Sequence, residues 1–107
     1  MDGAREILEL TGPELDRHGW GKGPELGGGK VCLGIAMMEA ATRLGGSCLS
    51  IESPYTAVTR QIARHFPGRY AFQRPGLYTI PAFNDHPDTT EEDIRLVLKH
   101  ALEDVSS

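Results

Sequence analysis

The sequence predicts a single, mainly α domain of about four helices with a small β-hairpin between the third and the fourth. Apolar residues recur at three- and four-residue spacing in separate stretches, glycine and proline pairs punctuate between them, and one aromatic-rich stretch alternates instead. A chain of 107 residues holds one modest core and is too short for two domains with a cofactor cleft between them.

In "REILELTGPELDRHGW" Ile7, Leu8, Thr11 and Leu15 share one helical face, while Gly12-Pro13 removes a backbone donor in the middle. The helix is expected to break or restart there, with Thr11 as cap, Pro13 in the first turn and Glu14 closing a capping box. His18-Gly19 supplies a stop. Residues 19–30, "GWGKGPELGGGK", hold six glycines and a proline and are expected to form a long surface loop. A second helix begins near Val31 or Cys32, carries Leu33, Met37, Ala40, Ala41 and Leu44 on one stripe, and ends at Gly45-Gly46. "SCLSIE" is an extended connector. Ser53-Pro54 then caps a third helix with Tyr55, Val58, Ile62 and Phe66 on one face, stopped by Pro67-Gly68. "RYAFQRPGLYTI", residues 69–80, alternates around Arg-Pro-Gly and reads as the hairpin. "PAFNDHPDTT" is a turn-rich approach to the last helix. There Thr90 caps, Glu91, Glu92 and Asp93 suit the positive end of the dipole, and Ile94, Val97, Leu98, Ala101, Leu102 and Val105 form the apolar face.

Charge is distributed unevenly. The net is −4, which speaks against a generally basic DNA-coating module. Residues 53–84 nevertheless hold four arginines and no acid, whereas residues 85–107 hold seven acids and two bases. Arg60 and Arg64 lie one helical turn apart, and Arg69 and Arg74 follow, so one basic face for an anion or a partner is geometrically open. The simpler reading pairs these arginines with the chain's own acidic last helix and puts Tyr55, Phe66 and Phe83 in the core. No motif for sequence-specific DNA recognition appears. The apolar runs are short and the first ten residues mix charge with leucine, so neither a membrane span nor a signal peptide is expected.

"PELGGGKVCLG" invites comparison with a phosphate loop. Aligned on Gly29-Lys30, that loop requires a glycine at Pro24 and a hydroxyl at Val31. The dinucleotide pattern fails in turn at Pro24 or at Leu26. What remains is a loop entering a helix, with an anion at free helix N–H groups as its residual use. Cys32 faces the positive end of that helix with Lys30 near in sequence, which suits a nucleophile. Cys32 with His65 and Asn84, or with His86, would make a thiol-dependent hydrolase. The ordinary alternative is a cysteine packed at a helix start. Asn84 and Asp85, with His86 and Asp88, are open both to a metal or acid–base cluster and to simple turn formation. Two cysteines, Cys32 and Cys48, and scattered histidines form no zinc pattern, and neither cofactor nor metal is expected.

"HGWGKG" after a first helix, "CLGIA" opening a second, "FND", and "TTEEDI" opening the last resemble a small family of unknown function found in actinobacteria and their bacteriophages. Gly19, Trp20, Gly23, Cys32, Gly34, Asn84, Asp85 and Thr90 match its pattern. Val31, Ile35, Phe83 and Thr89 replace its tryptophan, alanine, second tryptophan and arginine, and the aromatic stretch at 69–78 is additional. The resemblance implies an origin in an actinobacterium or its phage, with Trp20 and Phe83 as core anchors and Asn84, Asp85 and Thr90 as turn and cap residues. It brings no catalytic residues. The expected function is that of a small phage-type accessory protein in the host cytoplasm, binding a host or phage protein. A homodimer through surplus apolar surface on the first helix is a further expectation. A cysteine-dependent enzyme centred on Cys32 and a nucleic-acid binder using the arginine face are the rivals.

Overall fold

A computed structural model describes residues 3–46, 52–69 and 79–106. Ala4–His18 is one unbroken helix, α1, with Pro13 inside it. Pro13 and Glu9 are both exposed, so the hydrogen bond that proline cannot donate is lost from a carbonyl on the wet side, where water replaces it. Thr11 therefore caps nothing: its hydroxyl donates to the Ile7 carbonyl at 2.7 Å. Gly19, at φ 85°, ends the helix by donating its N–H to the Leu15 carbonyl, a conformation that other residues adopt at a cost.

The glycine-rich segment is more ordered than expected. Gly23–Gly28 forms a 3₁₀ helix, and Trp20 makes an isolated parallel bridge to Val31. Val31 donates to the Gly19 carbonyl at 2.9 Å and Gly21 to the Val31 carbonyl at 3.0 Å, which closes the segment into a loop. Helix α2, Leu33–Arg43, follows with Cys32 as its cap. It ends in a Schellman turn: Gly45 at φ 78° donates to Thr42, and Gly46 donates to Ala41. The expected extended connector, 47–52, lies outside the described residues except for Glu52, which is already helical.

Helix α3 is described from Glu52 to His65, so it has begun before the Ser53 that was expected to cap it, and Pro54 lies in its first turn. A 3₁₀ turn at Pro67–Arg69 follows. The expected hairpin is corrected at both of its ends. Arg69 closes that turn, and Thr79 and Ile80 open a further helix, α4, Thr79–Asp85; residues 70–78 lie outside the described residues. Among the described residues there are five α-helices and no strand. Pro81, the third residue of α4, costs nothing there because the first N–H groups of a helix have no intrahelical acceptor. Ile80, Phe83 and Asn84 then fall at i, i+3 and i+4 on the buried side.

Helix α5, Glu91–Ser106, opens with a reciprocal capping box. Thr90 Oγ1 accepts from the Asp93 N–H at 3.3 Å, and Asp93 Oδ2 accepts from the Thr90 N–H at 3.1 Å. α1 packs on α2 and α5, α3 on α5 and α4, and α4 on α2. Phe83, Leu33, Met37, Ile62, Ile80, Ile94 and Val97 fill the space between them with no more than 1% exposure. Ile7, Leu8 and Leu15 are buried in this arrangement, so the apolar side of α1 faces the core. No helix among the described residues is long and apolar enough to cross a membrane.

Candidate functional site

The last turn of α4 brings the loop after α1 and the start of α2 together at one side chain. Asn84 has no exposure. Its Oδ1 accepts from the Trp20 indole N–H at 2.7 Å and from the Leu33 backbone N–H at 2.9 Å. Its Nδ2 donates to the Gly21 carbonyl at 3.2 Å and to Asp85 Oδ1 at 3.1 Å. An amide side chain has two acceptor sites and two donors, so Asn84 is saturated. It is helical and buried, a tie between three segments rather than the turn former expected.

Asp85 extends the tie outward. Its Oδ1 also accepts from the Gly23 N–H at 2.9 Å. Lys22 reaches across the same rim, donating from Nζ to the carbonyls of His86 at 2.6 Å and Pro87 at 3.2 Å, with its ammonium 6.0 Å from the centre of the Trp20 ring. Gly34, in the first turn of α2, faces Tyr55: a Cβ added there would stand 3.0 Å from the phenol oxygen. Residues from "GWGKG" and "CLG" thus meet "FND" and the turn after it, 51 to 64 positions further on.

Cys32 is half-buried, and its Sγ accepts from the Ile35 N–H at 3.4 Å as a helix cap. With Leu33 N–H given to Asn84, two of the first three N–H groups of α2 are engaged inside the protein, which counts against an anion at this helix start. Among the described residues no hydrogen bond joins Cys32 Sγ to His65, His86 or Asn84. His86 Nδ1 accepts from the Asp88 N–H, and His65, at the end of α3, stacks on His100 of α5 with ring centres 4.5 Å apart. No group of three or more His, Cys, Asp or Glu among the described residues is placed to hold a metal.

The arginines separate. Arg69 lies over the Phe66 ring and pairs with Asp93 at 2.8 Å. Burial of Asp93 pushes its carboxyl up, but the Arg69 and Thr90 hydrogen bonds outweigh that and hold it below the usual carboxylate range. Arg60 and Arg64 are exposed on α3 and enter no ion pair among the described residues; Arg74 lies outside them. Phe83 is in the core, and Tyr55 and Phe66 pack against it half-buried.

Beyond the tie the surface opens into a pocket of about 670 Å³ lined by Trp20, Lys22, Asp85, Pro87, Thr89, Thr90 and Glu91. A second open pocket, about 600 Å³, continues from Glu91 along α5 past Arg95, Leu96 and Lys99. Leu96 is 40% exposed in it. The sequence reading missed Lys22 and Gly21, which carry no signal as single residues in a glycine-rich stretch. Glu14, expected to close a capping box, instead buries its carboxylate against Arg43 Nε at 2.7 Å.

A sequence model of a family of unknown function, DUF6197, matches residues 1–104, and the chain belongs to that family. No curated protein and no solved structure matches it.

Proposed function

We propose that this member of the family is a binding protein without catalytic chemistry, and that its partner is another protein. The observation that carries the reading is the use to which its polar motif residues are put. Cys32 and Asn84, two of the side chains from which a hydrolase would be assembled, and Asp85 of the acid–base cluster are held in internal hydrogen bonds: Asn84 and Asp85 tie the loop after α1 to α2 and α4, and Cys32 caps α2. The surface beside that tie carries two open pockets joined at Glu91, with a half-exposed leucine, and mixed polar and apolar concavities of this kind suit a protein contact. The match of the short motifs supports an origin in an actinobacterium or one of its phages, with the host cytoplasm as the place of action. A tagged chain passed through a host lysate, beside a variant carrying Glu91→Lys and Glu92→Lys, tests the reading. A protein retained by the first and lost from the second, at equal thermal stability, is the result expected. Equal retention by both, or retention of nothing, overturns it.

Rapid alkylation of Cys32 by iodoacetamide in the folded protein at neutral pH would favour the rival enzyme, because a nucleophilic thiol must be accessible as thiolate. Our reading expects slow labelling, the sulfur being half-buried and bonded to Ile35 N–H.

A further inference from the structure

We infer that the pocket between the Trp20 loop and the start of α5 receives the guanidinium of an arginine presented by the partner protein. This rests on the binding reading above and names the chemistry of its contact. The donors and acceptors of the lining bear on the sign of the ligand. The indole N–H of Trp20 is turned inward to Asn84, so the pocket meets its ring, whose π surface attracts cations. The Lys22 ammonium is seated on the carbonyls of His86 and Pro87, the Gly23 N–H on Asp85, and the Thr90 N–H on Asp93. These donors are spent inside the protein.

Acceptors remain. Both hydrogen bonds of Asp85 go to Oδ1, and the one from Arg95 to Glu91 goes to Oε2, so each carboxylate keeps one oxygen out of these bonds, and both residues are exposed. A planar guanidinium adds what an ammonium lacks: it stacks flat on an indole while its edge donates to a carboxylate. The surrounding segment, residues 85–107, with seven acids against two bases, draws a basic partner toward the pocket.

Trp20 is the single tryptophan, so its fluorescence reads the pocket directly. A tri-arginine peptide titrated at low salt is expected to change Trp20 emission saturably, and the isosteric tri-citrulline peptide is expected to leave it unchanged. Asp85→Asn retains an oxygen for Gly23 while removing the charge, and weakens the peptide about fivefold. Glu91→Gln, outside the tie, serves as the second variant if Asp85→Asn unfolds, with a loss of about threefold. Emission that does not respond to tri-arginine, equal response to citrulline, or unchanged affinity in the folded variants overturns the inference. If that happens while the lysate partner is still lost with Glu91→Lys and Glu92→Lys, the binding reading stands and the arginine contact alone falls.

Discussion

Asn84 makes four hydrogen bonds from a fully buried side chain, and its removal leaves the Trp20 indole N–H and the Leu33 N–H without an acceptor. Buried groups left unpaired cost more than an average hydrogen bond contributes, so Asn84→Ala is expected to lower stability by about 3 kcal/mol. Urea unfolding followed by Trp20 fluorescence measures it, and a loss below about 1 kcal/mol would show that the tie is incidental. Glu14 makes a second prediction. The hydrogen bond from Arg43 holds its carboxyl below the usual 4.5, against the upward push of burial, with Arg17 assisting. A lowered folded-state value means a contribution present above the unfolded value and lost as pH falls through the folded one. Glu14→Gln therefore destabilises by about 1–2 kcal/mol at pH 7. The gap between variant and wild type closes as the pH drops below about 4.5, visible in thermal melts from pH 7 to 3. The Arg43 partner of Glu14 is not legible in the sequence, because it lies on another helix, 29 positions away.

Single elements were legible where pattern and punctuation agreed. α5 has an unbroken 3.6-residue stripe behind a Thr-x-x-Asp box, and α2 and α3 have stripes bounded by Gly-Gly and Pro-Gly. The start of α4 suggests a strand because it closes the alternating stretch 69–80, while Ile80, Phe83 and Asn84 keep helical spacing, and so short a stretch satisfies both periods. α1 was read as interrupted because Gly12-Pro13 normally breaks a helix; the proline falls on the solvent side, and the helix tolerates it. That tolerance is not free. Pro13→Ala restores a donor to the Glu9 carbonyl, worth up to about 3 kcal/mol, against about 1 kcal/mol of unfolded-chain entropy given back. A net gain of about 1–2 kcal/mol in urea unfolding is the expected outcome. Thr90→Ala, which removes one half of the box on α5, is expected to cost about 1 kcal/mol by the same measurement.

At the scale of the molecule, the packing joins segments that sequence reading treated separately. The glycine loop was tested as a phosphate site and set aside at Pro24 and Val31, yet its actual partners, Asn84 and Asp85, lie more than 60 positions on. No local pattern reports such a pairing, since only the fold brings α4 against α2. What is legible is that Trp20, Cys32, Asn84 and Thr90 form a set, through the motif resemblance; that Trp20 and Asn84 are spent on one internal tie, while Cys32 and Thr90 cap α2 and α5, is not. The central claim is therefore architectural: these residues hold the loop to the helices, and binding uses the surface beside them. Native-state hydrogen exchange tests it most directly. The Trp20 indole N–H and the Leu33 and Gly23 amides are predicted to exchange about as slowly as the core of α5, and to speed up together in Asn84→Ala. Exchange of these protons at the rate of an open loop in the wild type would contradict the account.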